Sequence, residues 1–361
     1  MSTPSRRHIV DIIAGDGIGP EVISPTVAAL DLLARRHGFT MDWRERPWGS
    51  DFYAETGAMM PTNGIELLSD GDAILLGAVG SPEIDDVTTL WGLLIPIRRE
   101  FEQYVNLRPT HLLPGVTSPV AGAEQMDLMI VRENVEGEYS EIGGRFRRGM
   151  PGELAIQETV ISREGTSRVA RFAGNLAASR SNNLVSATKS NGIIHSMPFW
   201  DEVVSEVIAT DYPSVKLESV LIDALAARLV QRPTSLDVIV ASNLFGDILS
   251  DLAAAVAGSI GIAPSANLNP ERDFPSLFEP VHGSAPDIAG RDIANPVGTM
   301  WAASMMLDHL GEHDAAAELE SAFTTVLASG IATADLGGTA TTTSFSREVH
   351  AALAGPTAPT T

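Results

Sequence analysis

Val238-Ile-Val-Ala-Ser-Asn243-Leu-Phe-Gly-Asp247-Ile-Leu-Ser-Asp251-Leu-Ala-Ala-Ala-Val256 decides how this chain is read. Val238-Ile239-Val240 is a short apolar run of buried-strand type, and Leu252 onward reads as helix. Asp247 and Asp251 are four apart, so on a helix they are neighbours on one face and repel. A solvated acidic face would explain such a pair. Here Ile248 and Leu249 lie between the two, and the run after Asp251 is almost wholly apolar. A carboxylate pair in apolar sequence beside a strand end points to a divalent cation.

Working outward, the same strand-then-polar pattern recurs. His8 to Ala14, Ala73 to Val79, Leu128 to Val131 and Leu184 to Ala187 are further strand candidates, as continuous apolar runs covered on both faces. Between them run longer periodic stretches. The clearest is 20–36, where Pro20 suits a first turn, Ile23, Val27, Leu30 and Ala34 share a face, and Gly38 ends the helix. This alternation is α/β. Gly15-Asp-Gly-Ile-Gly-Pro20 follows the first strand, Gly80-Ser-Pro the second, Arg132-Glu-Asn the third, Lys189-Ser-Asn the fourth and Asn243 to Asp251 the last. Ligands in open α/β sheets bind beyond the carboxyl ends of strands, so these ends point to one assembled site. Pro20 stands where the dinucleotide fingerprint would have its last glycine, so the Gly15 loop does not by itself make a Rossmann domain.

Composition narrows the function classes. The 361 residues are 44% hydrophobic and 6% aromatic, enough for a sizeable core in two domains or one discontinuous one. There is no cysteine, hence no disulfide framework and no thiolate chemistry. Neither a signal-peptide h-region nor a membrane-length apolar run occurs, and a cytoplasmic protein is expected. The tail from Gly355 is Pro/Thr/Ala-rich and reads as disordered. Net charge is −22, from 24 basic and 46 acidic residues, which disfavours nucleic acid and anionic membranes as partners.

In so acidic a chain, grouped arginines are informative. Arg98, Arg99 and Arg108 flank a helix-like run at 100–107, and Arg132 ends a strand. They read as a carboxylate or phosphate clamp, or as surface ion pairs with Glu100, Glu102 and Glu133. Lys189, partly desolvated at a strand end, is a candidate base, unless its stem is buried and its amine reaches water. Asp223 is the only charge in the apolar, helix-like run 220–227. A buried lone carboxylate must be paired, either with Lys189 or with Asp247 and Asp251 on a metal. Aspartates with no cysteine and no His-x-x-x-His suit Mg2+ or Mn2+ rather than zinc. The loop Phe278 to Gly290, followed by Asn295-Pro296, has free N–H groups for phosphate and an acid, Asp287, for a ribose diol. A purely structural loop would read the same way.

Together these stretches resemble the β-decarboxylating dehydrogenases of 2-hydroxy acids, the family of isopropylmalate, isocitrate and tartrate/D-malate dehydrogenases. The resemblance runs from about Ile9 to Gly338. It is carried by GDGIGPEV at 15–22, the Arg98/Arg108 pair, VREN at 131–134, KSN at 189–191, NLFGDILSD at 243–251 and HGSAPDIAG at 282–290. The stretch TTLWGLLIPIRREFEQYVNLRP at 88–109 is most similar to the tartrate/D-malate branch.

The resemblance implies a two-domain, isopropylmalate-dehydrogenase-like fold, a large mixed sheet flanked by helices and not a Rossmann fold. Residues 1–104 and 262–361 would form the NAD-binding domain, and 105–261 the dimerisation and metal/substrate domain. Arg98, Arg108 and Arg132 would bind substrate carboxylates. Asp223, Asp247 and Asp251 would hold Mg2+ or Mn2+. Lys189 would take the 2-hydroxyl proton, and Tyr139 would protonate the enolate left after CO2 loss. Asn191 would face the nicotinamide ribose. His282, Gly283, Ser284, Ala285, Asp287, Ile288 and Asn295 would hold adenosine, with Glu279 close by. Asp287-Ile288 stands where NADP-dependent relatives carry basic groups, which favours NAD, with Arg291 nearby.

Trp91 and Leu94 lie in the stretch that would meet the C3 substituent. No basic residue lies there to meet the third carboxylate of isocitrate. Trp91 replaces the glutamate usual in isopropylmalate enzymes, which favours D-malate or tartrate over isopropylmalate, the alternative. In this family Lys189 and Asp223 reach into the partner's site, so a homodimer with shared active sites is implied. The branch also implies a monovalent cation such as K+.

Overall fold

The computed structural model describes residues 6–355. The Pro/Thr/Ala-rich tail read from Gly355 therefore lies, beyond Gly355 itself, outside the described residues. The chain forms two compact units. One contains residues up to Gln103, Leu112–Pro119 and Ala254 onward; the other contains Tyr104–His111 and Val120–Ala253.

In the first unit, five strands lie in the order Phe39–Glu45, Arg6–Gly15, Ala73–Ala78, Ser276–Pro280, Pro264–Leu268. Neighbours are parallel except the last pair, which is antiparallel. This is a mixed sheet and not the Rossmann order. Ala73–Ala78 is buried at every position, as a strand covered on both faces must be. The helix Gly19–His37 has Pro20 in its first turn and closes on Gly38, whose φ of 73° suits glycine and whose N–H bonds Ala34 O. Its expected inward face holds: Ile23, Leu30 and Ala34 are buried, and Val27 is half-buried. Val297–His309 is buried on almost every side and forms the centre of the helical layer.

One stretch departs from its reading. The run 100–107 is not helical. The helix Ile95–Glu100 stops there, Glu102 takes φ 44°, and Val105–His111 is a strand. Phe101 and Tyr104, both buried, turn the chain, and backbone pairing then outweighs helical spacing. Upstream, Leu90–Leu94 is a single π-helical turn between helical segments; such turns widen a helix locally and are common at functional sites.

In the second unit the strand order is Val105–His111, Asp127–Glu133, Val238–Ala241, Asn183–Thr188, Lys216–Leu221. The first pair is antiparallel and the rest are parallel. Asp223 also departs from its reading. Val220 and Leu221 pair with Ala187 and Thr188 as strand, so the helix Ile222–Gln231 begins only one residue before Asp223. Asp223 is thus exposed at a helix start and not buried within a helix. A separate hairpin, Gly143–Phe146 with Leu154–Gln157, is exposed along its whole length.

Candidate active site

Strand Val238–Ala241 is wholly buried, and the helix Asn243–Val256 leaves its carboxyl end. Leu249 and Ala253 bury one side of that helix, and Asp247 emerges on another. The cation required between the acidic pair is present as two guanidinium groups from neighbouring strands. Arg132, 3% exposed, ends Asp127–Glu133 and donates through Nη1 to Asp247 Oδ1. Arg108, also buried, donates through Nη1 to Ser250 Oγ (2.6 Å) and to Asp251 Oδ1 (3.3 Å), and its Nη2 lies 3.6 Å from Asp247 Oδ1. Tyr139 donates its hydroxyl to Asp247 Oδ2 at 3.0 Å, and its ring lies under the Arg132 guanidinium. Gly246 permits this approach, because a Cβ there would fall 2.5 Å from Arg132 Cβ. Lost solvation raises the Asp251 carboxyl above the ordinary aspartate range; the Arg108 charge opposes this and the Asp247 charge adds to it.

Lys189 follows strand Asn183–Thr188 and donates to Asp223 Oδ1 at 2.7 Å. This hydrogen bond holds the Asp223 carboxyl below the usual aspartate range. Of the two partners offered to Asp223, the lysine is the one met within a chain. Among the described residues no three His, Asp or Glu side chains gather closely enough to hold a metal. Asp247 and Asp251 supply two hard carboxylate donors, and Asp223 does not join them in one chain. Asn191 is exposed just beyond Lys189.

In the first unit, Arg98 donates through Nη2 to Glu279 Oε1 at 3.0 Å, and Asn267 donates to the same oxygen at 2.8 Å. Trp91 is half-buried under the Arg99 guanidinium, 5.0 Å from its ring centre, and Leu94 packs on the core. The Gly15 loop closes onto the 282–290 loop. Ile18 N–H bonds Ser284 O at 2.8 Å, and a Cβ on Gly17, whose φ is 57°, would lie 2.0 Å from that oxygen. Those glycines serve loop packing. Asp16 is likewise internal, accepting from Ser50 N–H and Oγ and from Gly80 N–H.

Ala285 and Ile288 pack with Ile18, Val22 and Ala294, leaving Gly283 and Asp287 outward. The His282 Nε2 is buried with no hydrogen-bond partner among the described residues, and burial lowers the ring's pKa, so it is neutral near pH 7. An unmet polar atom in this loop fits a bound base. Asn295 is committed within the protein, accepting from Val297 N–H and donating to Asp335.

A model of isocitrate/isopropylmalate dehydrogenases matches residues 9–349. The chain belongs to the isocitrate/isopropylmalate dehydrogenase family. It is an oxidoreductase of that family, and the α/β architecture with its mixed sheet agrees. It is 49% identical to a probable tartrate dehydrogenase/decarboxylase of Agrobacterium vitis, over 97% of this chain and 99% of that one. It is 52% identical to the decarboxylating D-malate dehydrogenase of Escherichia coli strain K12, over 91% and 94% of the two chains. The crystal structure of isocitrate dehydrogenase from Methylococcus capsulatus superposes with a TM-score of 0.87 at 30% identity, covering 96% of this chain and 99% of that one. No helix among the described residues is long and apolar enough to cross a membrane.

Residues with no role assigned from sequence also build this site. Asn243, Ser250 and Glu133 all touch the arginines or the turn beyond them. Asn243 stands four residues before Asp247, the same spacing that singled out the acidic pair, and so was findable from sequence.

Proposed function

We propose that this chain oxidises and β-decarboxylates a 2-hydroxy diacid with NAD and a divalent metal, acting on D-malate (to pyruvate and CO2), on tartrate, or on both. The observation that carries this is the convergence of Arg108, Arg132 and Tyr139 on Asp247 and Asp251. Two buried guanidinium groups beside a carboxylate pair supply both halves of a site for a chelating diacid. Arg108 and Arg132, with Arg98, bind the substrate carboxylates. Lys189 takes the 2-hydroxyl proton as hydride leaves C2. Tyr139 returns a proton to C3 once CO2 has gone.

Asp247 and Asp251 would hold Mg2+ or Mn2+, which would supply polarisation of the C2 oxygen and stabilisation of the negative charge developed on decarboxylation. NAD would be the hydride acceptor, held with His282 toward its adenine and Asp287 toward its ribose diol. Arg291, exposed nearby, has Nη1 3.5 Å from the Asp287 main-chain oxygen.

The third metal carboxylate, Asp223, comes from a second copy in a homodimer. Apolar side chains exposed on the hairpin (Phe146, Leu154, Ile156), with Val230 and Ile248 on helices of the same unit, support a subunit interface. Trp91 and Leu94 shape the C3 pocket.

NADH formation with Mn2+ on D-malate, the tartrate isomers and 3-isopropylmalate tests the reading. Turnover of D-malate or a tartrate supports it. Turnover of 3-isopropylmalate alone replaces it with the biosynthetic alternative, and no turnover at all removes it.

A further inference from the structure

The Arg132 guanidinium is buried, and two of its three nitrogens are occupied by a single neutral oxygen. Its Nε (3.0 Å) and Nη2 (2.6 Å) both donate to Asn243 Oδ1. Only Nη1 is turned to Asp247. The amide of Asn243 is itself fixed, because its Nδ2 donates to the Glu136 carbonyl at 2.8 Å. Reversing the amide would set donor against donor at Arg132 and acceptor against acceptor at Glu136, so one orientation is enforced.

The Glu136 carbonyl sits on a turn held at its other end. The buried Glu133 carboxyl accepts the N–H groups of Val135 (3.1 Å) and Glu136 (2.9 Å). The Glu136 side chain accepts from Ser162 N–H and Oγ, anchoring the turn to the start of the helix Arg163–Ser179. Glu133 directly follows Arg132, and the turn leads on to Tyr139. A closed circuit therefore runs from Arg132 through Asn243 and the turn back to the residue beside Arg132.

We propose that Asn243 is a positioning residue that orients the Arg132 guanidinium toward the substrate carboxylate, with the Glu133-held turn as its anchor. A neutral acceptor suits the task. It fixes the Nε/Nη2 fork without setting a second carboxylate beside Asp247, which Arg132 already faces through Nη1. The substrate part of this assignment rests on the function proposed above.

The test compares Asn243→Ala, Arg132→Lys and the double variant in steady-state kinetics with D-malate or tartrate, NAD and Mn2+. Lysine keeps the charge but cannot use the Asn243 fork. Asn243→Ala should raise the diacid KM at least tenfold, change kcat less than threefold and leave the NAD KM unmoved. In the Arg132→Lys background the same change should add less than twofold, since coupled residues are non-additive. An equal fold-change in both backgrounds, or an unchanged diacid KM, overturns the proposal.

If Asn243→Ala does not fold by circular dichroism, Asn243→Ser takes its place. Its hydroxyl keeps a polar group at the helix start but is too short to span Arg132 and the Glu136 carbonyl, and the same non-additivity with Arg132→Lys is expected. A wild-type chain inactive on every 2-hydroxy diacid would remove the proposed function and this inference together. An active wild type whose variants keep its KM removes this inference alone.

Discussion

Lys189 Nζ lies 2.7 Å from Asp223 Oδ1, so the proposed base and the proposed third metal carboxylate are partners within one chain. Both are solvent-accessible, with side chains 32% and 65% exposed. An exposed pair of this kind is screened by water and contributes little to stability.

Lys189→Met removes the proton acceptor while leaving the core intact. kcat should fall by roughly 10²- to 10⁴-fold, the usual contribution of a general base. NAD affinity, read by nucleotide fluorescence quenching or enhancement, should stay within about twofold, and the melting temperature should hardly move. Normal turnover would remove Lys189 as the base.

Asp247 accepts from Arg132 and Tyr139 and faces Arg108. Asp247→Asn keeps the shape but removes the charge that would attract a divalent cation. Mn2+ binding by calorimetry should weaken at least tenfold, and EDTA-treated variant should need correspondingly more Mn2+ to recover activity. Mn2+ affinity equal to wild type would place the metal elsewhere.

How much of this was legible in the sequence differs residue by residue. The Asp247/Asp251 pair was legible because helical spacing is local and an apolar setting makes like charges expensive. The cations answering it were not assigned to it, since Arg108 and Arg132 arrive from strands more than a hundred residues earlier. Asp223 shows the limit of periodicity. Val220 and Leu221 look helical when joined to the Ala-rich run after them, but they pair with the Asn183–Thr188 strand, which moves the helix start to Ile222 and the carboxylate into solvent. The run 100–107 failed likewise, because the burial of Phe101 and Tyr104 decided the turn. Of the HGSAPDI loop, sequence identified the segment but not that Asn295 spends both polar atoms inside the protein.

Glu133 gives a pH prediction. Burial lifts its carboxyl from 4.5 to about 7; the N–H groups of Val135 and Glu136 pull the other way, Glu136 adds to the rise, and Arg168 opposes it. A carboxyl raised on folding contributes stability that is complete below about 4.5 and lost as pH rises through about 7. At about 1.4 kcal/mol per unit, the loss is roughly 3 kcal/mol. Glu133→Gln cannot titrate. Urea unfolding should show the wild type losing stability relative to the variant between pH 4.5 and 8, whatever constant offset the changed acceptor adds. A wild-type-minus-variant difference that is flat across that range would show the carboxyl to be ionised throughout.

Under the proposed function, Asp287 sets the choice between NAD and NADP. It is exposed in the loop that also carries the unpartnered His282 Nε2, and Arg291 is directed at its main-chain oxygen. A carboxylate facing a ribose diol accepts two hydroxyl hydrogen bonds, but it repels a 2′-phosphate. Asp287→Lys reverses that sign without touching the packing of Ala285 and Ile288 against Ile18 and Val22. The NAD KM should rise at least tenfold, while the NADP KM should be unchanged or lower, so the ratio of kcat/KM for NAD over NADP drops by at least an order of magnitude. The diacid KM should not follow. An equal effect on both nucleotides would take Asp287 away from the ribose.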